Sequence, residues 1–209
     1  HTLSLHDALP ISRFMVMDWA VDVLKQEKAN DRFNVETIYY MYTNNDVETL
    51  SQTEAADAEE DLKSNLKWIS FKQKFFSYAI ISKDSFDDAF VEMHTKSRPS
   101  SSRYQKSMSS IIHIPFDGLN EDNKIEMSYY FGPNDFKELK QYDINLEKQI
   151  PLGGKLVAWI NRLIVIPVFD WLGQYGWSYG VVILILTLII KICLMPIAFK
   201  SYLSSAKMR

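Results

Sequence analysis

Gly180–Phe199, GVVILILTLIIKICLMPIAF, is an apolar run of 20 residues interrupted by one charge, Lys191. As an α-helix it is about 30 Å long, the thickness of the hydrocarbon core of a bilayer. Lys191 comes about 17 Å along that axis from Gly180, near mid-membrane. An ammonium group there costs roughly 3 kcal/mol on insertion scales, and a charge held at that cost normally faces a protein interior or a water-filled cavity. Two readings of Lys191 stay open. It can snorkel, with its stem on lipid and its charge among headgroups, or it can face a polar groove. Lys200, at the cytoplasmic end, is roughly 13 Å further on, and a lysine stem recovers about half of that. The neighbours point to the groove. Thr187 precedes Lys191 by one turn on the same face, with Leu184 and Gly180 above it, a smaller and more polar stripe than Val181, Ile185, Ile189 and Ile192. Pro196 cannot donate to the carbonyl of Ile192 and is expected to kink the helix there.

Charge sets the expected orientation. No acidic residue follows Asp170, whereas Lys200, Lys207 and Arg209 flank the far end of the run. Residues 1–170 carry a balance of −7 and residues 171–209 one of +4. Positive charge close to the membrane marks the cytoplasmic side, so the C-terminus is placed there and the large N-terminal part outside. The mean hydropathy of −0.15 averages these two different materials.

Residues 1–12, HTLSLHDALPIS, have neither the basic start nor the apolar stretch of a signal peptide. They resemble sequencing-adapter read-through translated in frame, with the expectation that native sequence precedes Arg13. From residue 13 to 149 the pattern is β. Val35–Thr43 is rich in β-branched and aromatic residues, and Lys67–Ile81 alternates like one half-buried strand, with a bulge or two-sided burial expected at Phe75 and Phe76. Phe86–Thr95, Ser109–Pro115 and Lys124–Phe131 are further strand candidates, separated by clusters of Ser, Pro, Asp, Asn and Gly. Several strands at short spacing indicate a sandwich. Asp46–Asp61, with seven acidic and no basic residues, reads as a solvated loop.

Gly154–Trp171 is strongly apolar, yet Lys155, Ala158 and Arg162 share a helical face, as expected of a helix lying in the membrane interface. Trp159, Trp171, Tyr175, Trp177 and Tyr179 read as an aromatic belt at the outer headgroup level. Residues 150–177 are thus an interfacial helix and linker, 178–200 a transmembrane helix, and 201–209 the start of a cytoplasmic element.

Catalytic chemistry is scarce. Cys193 is alone and within the span, which leaves no disulfide framework. His94 and His113 lie in strand-like segments at a spacing that matches no metal motif, and read as core or surface histidines. No phosphate loop, metal-ligand cluster or basic nucleic-acid stripe appears, so no cofactor, metal, catalytic residue or nucleic-acid partner is expected.

Tyr175–Arg209 resembles the first core transmembrane segment of the YidC/Oxa membrane protein insertase family. The likeness rests on Gly180 behind an aromatic, Thr187, a basic residue at 191, Pro196, and the Ser-x-Ala-Lys-Met run Ser204–Met208. Upstream, LKWISFKQKFF (Leu66–Phe76), YYFGPNDFKELK (Tyr129–Lys140) and IPLGGKLVAWINRLIVIPVF (Ile150–Phe169) resemble the Gram-negative members with a large periplasmic domain. The resemblance implies a membrane protein of β + α class. Part of a mutarotase-like periplasmic β-supersandwich is followed by the interfacial helix and one transmembrane helix, with residues 13–177 periplasmic in an inner-membrane protein. It implies a non-covalent insertase and chaperone for nascent membrane proteins, working with the bilayer, the Sec translocon and the ribosome. Its hydrophilic groove would be lined by Lys191 and Thr187, with the kink at Pro196 and anchors at Trp159, Arg162, Trp171 and Trp177. Family members more often carry Arg where Lys191 stands; Lys keeps the charge and loses the bidentate fork. The family has four more core helices after Arg209 and an anchor before the periplasmic domain, so the chain is expected to be a fragment without activity of its own. Two other classes compete. A carbohydrate-binding or carbohydrate-processing domain on one anchor would need an acid and a His converging in a cleft, and a single-helix periplasmic sensor would not need a mid-membrane cation.

Overall fold

The computed structural model describes residues 14–24, 36–50, 57–95, 103–115 and 125–207; residues 1–12, and so the adapter reading, lie outside them. The chain divides after Ile150 into two units. The first is a sandwich of two antiparallel sheets. One has four strands in the order β1 (Phe14–Leu24), β8 (Tyr104–Pro115), β7 (Asp88–Thr95), β4 (Ala58–Leu62); the other has five, β3 (Val47–Thr49), β2 (Thr37–Tyr42), β5 (Leu66–Lys72), β6 (Phe76–Phe86), β9 (Met127–Pro133). Alternation builds the four-stranded sheet. Met17, Trp19, Val21 and Val23 of β1 and Met108, Ile112 and Ile114 of β8 turn inward to meet Ile38, Ile69, Phe71 and Ile80 of the other sheet. Trp19 stacks on Phe71 with ring centroids 4.4 Å apart.

The strand expected over Lys67–Ile81 is instead a hairpin. β5 ends at Lys72, Gln73–Phe75 turn, and β6 starts at Phe76. No Gly, Pro, Asn or Asp marks that turn; Asn134, distant in sequence, holds it. The Asn134 backbone N–H donates to the Phe75 carbonyl at 2.7 Å and its side-chain amide to the Gln73 carbonyl at 2.8 Å. Phe75 and Phe76 are consequently exposed, 58% and 51%, rather than buried around a bulge. Nor is β5 half-buried: Trp68, Ile69, Ser70 and Phe71 are all fully covered. Ile69 and Phe71 join the inter-sheet core, while Trp68 joins a second core with Met41, Ala79, Tyr130, Leu139 and Leu146 on the outer face of the five-stranded sheet.

That outer face is roofed by a short helix, α1 (Phe136–Lys140), and a 3-10 turn (Leu146–Gln149). Asp135 caps α1, its Oδ1 accepting from the N–H groups of Lys137 and Glu138 at 2.9 and 3.0 Å. The Trp68 indole donates to the Ile144 carbonyl at 2.8 Å. Gly132 is required before it, because a Cβ there would stand 2.5 Å from the hydroxyl of Tyr130, which folds back to donate to Pro133.

The acidic stretch Asp46–Asp61 is not simply a loop. Its ends form β3 and β4, with residues 51–56 outside the described set. Leu50 and Leu62 enter the core, and Glu60 accepts a 2.9 Å hydrogen bond from Tyr40 Oη across the sandwich. Burial first and Glu60 second raise the Tyr40 pKa. Composition pointed to solvent, and among the described acidic residues Asp46, Glu48, Asp57, Glu59 and Asp61 are exposed, while alternation along β4 turns Glu60 inward.

Candidate functional site

The second unit starts at Pro151 and contains the residues singled out by the sequence. α2 (Lys155–Ile160), a π-turn (Asn161–Val165) and α3 (Ile166–Gly173) run on as one helix. Pro167 explains the π-turn. It has no N–H for the carbonyl four residues back, and its ring would collide there, so the backbone widens and the Ile166 N–H reaches Asn161 O. The Asn161 amide donates back to the Leu152 carbonyl at 2.9 Å, tying the approach to the helix. Arg162 is exposed, as are Trp159 at 60% and Leu163 at 55%. Leu172 is the exception, buried together with Val182 and Leu186 of the next helix.

Between α3 and α4 (Tyr179–Lys207) the chain turns through Gly176 at φ +69°. The corner is aromatic: Trp171 meets Tyr175 edge-on at 5.4 Å, Tyr175 meets Trp177 at 5.7 Å, and Phe169 stacks on Tyr179 at 6.2 Å. Trp171 and Trp177 are exposed. Amphipathic rings gathered at one level beside an apolar helix suit a headgroup boundary.

α4 is the one helix among the described residues long and apolar enough to cross a membrane, over Tyr179–Pro196. It continues as one helix through Pro196 to Lys207. Ile183, Leu184, Leu188, Ile192 and Met195 are all exposed. Lys191 is exposed as well, one turn after Thr187. The Thr187 hydroxyl donates to the Ile183 carbonyl of its own helix at 2.7 Å, which leaves its oxygen lone pairs to accept. Over Tyr179–Pro196 the helix thus offers one cation, Lys191, and one hydroxyl acceptor, Thr187, on a shared stripe among mostly apolar residues.

The β unit holds polar groups that the sequence reading did not single out. Lys106 is completely buried, and its Nζ donates to the Glu36 carbonyl at 2.7 Å. Burial lowers its pKa to about 8, partly offset by the Glu36 carboxylate; Lys72, also buried, is shifted down for the same reasons. Gln149 is fully buried and accepts from Ser70 Oγ at 2.8 Å and Ser77 Oγ at 3.3 Å, pinning the end of the unit onto β5 and β6. An inward row reading Lys106, Met108, Ser110, Ile112, Ile114 could have betrayed the buried lysine; nothing local marks Gln149.

The histidines lie on strands, as expected. His113 contacts Asp88, and His94 lies 3.1 Å from Asp57 and 3.4 Å from Glu92, pairs that raise the His94 pKa, Asp57 foremost. Neither lines the open groove of about 620 Å³ bounded by Lys67, Ile81, Lys83, Glu126, Met127 and Ile144, where Glu126 is paired with Lys83. The converging acid and His of a sugar-processing cleft are not assembled in that groove. No group of three metal-binding side chains occurs among the described residues.

A family model described as the YidC periplasmic domain matches residues 11–167. Three similar relatives bear the name membrane protein insertase YidC. The protein of Parabacteroides distasonis is 37% identical over 211 residues, covering 96% of this chain and 32% of the relative. That of Phocaeicola vulgatus is 36% identical, covering 92% and 32%, and that of Bacteroides fragilis 35%, covering 95% and 32%. The chain therefore spans about a third of the length of the curated relatives it matches.

Proposed function

The chain belongs to the YidC periplasmic domain family, and from that premise we propose that it serves within a membrane protein insertase, as its relatives' name states of them. The observation that carries this reading is a single cation, Lys191, within Tyr179–Pro196, the apolar stretch of α4 long enough to cross a bilayer. Such a charge is costly in lipid and serves where a polar path enters the membrane. In the proposed mechanism the β unit and the interfacial helix lie on the periplasmic side of the inner membrane, α4 crosses it, and the C-terminus is cytoplasmic. A nascent membrane segment with an acidic outer tail enters a groove bordered by Thr187 and Lys191. Lys191 draws the tail partway over and so shortens its passage through low dielectric, after which the hydrophobic segment moves sideways into lipid. No covalent step is involved. Nascent membrane proteins are the substrates, and the Sec translocon and the ribosome are the proposed partners.

The test places substitutions in the complete gene and measures insertion of substrates with acidic periplasmic tails. Lys191→Arg is expected to retain insertion, because charge rather than fork geometry matters, and Lys191→Ala to reduce it several-fold. Full activity of Lys191→Glu would overturn the role of the charge.

The interfacial reading of Gly154–Trp171 makes a separate prediction. Ile160, Leu163 and Ile164 changed together to Ser remove apolar area that contributes roughly 25 cal/mol per Å² to membrane seating. Membrane association of this segment is expected to weaken, with the far-ultraviolet signature of the β unit intact. Labels at Arg162 that react from the cytoplasm but not from the periplasm would make the segment a spanning helix instead.

A further inference from the structure

The division between the β unit and the helix unit falls after Ile150, and the chain is held close to it on either side. Before it, the buried Gln149 accepts from Ser70 and Ser77, and Ile150 packs against the second core while its N–H donates to the Glu147 carbonyl at 3.1 Å. After it, the Leu152 carbonyl accepts from the Asn161 amide at 2.9 Å. Only Pro151 separates the two held points, and its ring fixes its own φ.

Beyond Leu152 the backbone is soft. Gly153 stands at φ +95°, a conformation that side chains rarely allow, and a Cβ there would be 3.1 Å from Val157. Gly154 follows at φ −60°, with nothing within 4 Å of the place a Cβ would take. Glycine has more conformational freedom to recover than any other residue. Both glycines lie inside the loop that the Asn161 bond closes, between Leu152 and the first turn of α2. While that bond stands they are bridged.

Asn161 is placed for this by its own backbone. It opens the π-turn imposed by Pro167, and its carbonyl accepts from the Ile166 N–H. Because α2, the π-turn and α3 run on as one helix, a clip at Asn161 couples the chain leaving the β unit to a continuous rod about 28 Å long.

We propose that the hydrogen bond from Asn161 to Leu152 is a latch on the joint between the two units. Closed, it restricts the joint to Pro151; open, it releases Gly153 and Gly154 as a hinge. One hydrogen bond favours the closed form by roughly two- to tenfold, so a latch of this strength opens and recloses in the native protein. The latch depends on neither the membrane reading of Gly154–Trp171 nor the role of Lys191.

The full chain in detergent, in the Cys193→Ser background, carries spin labels at Lys140→Cys in α1 and Gln174→Cys just after α3, both exposed positions. Pulsed dipolar spectroscopy gives the distribution of distances between them. A second pair, Trp159→Cys with Gln174→Cys, lies along the helix and reports its integrity. The parent is expected to give one main distance for the first pair. Asn161→Leu keeps the size and removes the donor; it should broaden that distribution at least twofold and leave the second pair unchanged. Asn161→Gln, which keeps an amide donor, should stay close to the parent. Adding Gly154→Ala to Asn161→Leu should narrow the distribution again, because a methyl group fits there and restricts only the backbone. A width in Asn161→Leu equal to the parent's overturns the latch. Broadening of the second pair as well would mean that Asn161 holds the helix rather than the joint, and also overturns it. Broadening that Gly154→Ala leaves untouched overturns the assignment of the hinge to the glycines.

Discussion

Trp68→Ala is expected to destabilise the β unit by about 3–5 kcal/mol, the range for emptying a buried Trp site. Trp68 is fully buried in the second core, between β2 and β6 and under Leu139 and Leu146. Truncation removes its indole from that core and leaves the Ile144 carbonyl without its 2.8 Å donor. Trp68→Phe separates the two losses. It retains most of the apolar contact and gives up the hydrogen bond, so about 1 kcal/mol is expected. Domains are stable by only about 5–15 kcal/mol in total, which makes the alanine variant marginal. Urea titration of the full chain in detergent, followed by far-ultraviolet circular dichroism, gives the difference. Hydrogen exchange should show residues 134–150 opening ahead of the inter-sheet core, because the roof of α1 and the 3-10 turn loses the residue it is fastened to. Equal destabilisation by Phe and Ala would assign the whole effect to the hydrogen bond and refute the packing account.

The same residue shows where sequence reasoning stopped. β2 was legible from its β-branched and aromatic composition, although it too is covered on both faces, and β8 over its second half, Ser109–Pro115. β5 was not, since Trp68–Lys72 is covered on both faces and its polar members, Ser70 and Lys72, are buried with the rest, leaving Lys67 the one partly open position. Period-2 reasoning needs a wet face, and from Trp68 to Lys72 there is none. The hairpin after it escaped because its turn is fixed by Asn134 rather than by turn residues of its own. β1 could have been found: Met17, Trp19, Val21 and Val23 alternate with Asp18 and Asp22. α4 was more legible as a long apolar helix, because Gly180–Phe199 is a run of 20 residues with one charge, Lys191. The π-turn was readable only in hindsight, from Pro167 inside an otherwise helical pattern.

Lys106 carries the last prediction, a stability that rises with pH where most proteins lose theirs. Its ordinary pKa of 10.5 falls to about 8 in the folded unit. Between those values the native state has released a proton that the unfolded chain still holds, so unfolding binds protons and stability increases as pH rises. Below about 8 both states are charged and the full penalty of the buried ammonium applies. Across the window the recovery amounts to about 3 kcal/mol, at 1.36 kcal/mol per pKa unit. The Glu36 carboxylate faces both Lys106 and Lys72, and the Lys72 shift adds a gain of the same sign. Tyr40 and Tyr42, whose pKa values are raised, oppose it near pH 10 and above, because the unfolded tyrosines ionise first. Comparison with Lys106→Met cancels the tyrosine contributions. Methionine keeps most of the length and the apolar stem without the charge, and loses the bond to the Glu36 carbonyl together with the attraction of the Glu36 carboxylate. The variant should be more stable than the parent at pH 7, because the net downward shift of the Lys106 pKa means that burial of the ammonium outweighs its attraction to the Glu36 carboxylate. The two curves should then converge between pH 8 and 10. A gap that stays constant from pH 7 to 10 would mean that Lys106 does not titrate in that window. A variant less stable than the parent at pH 7 would make the hydrogen bond to Glu36 worth more than the burial of the charge costs.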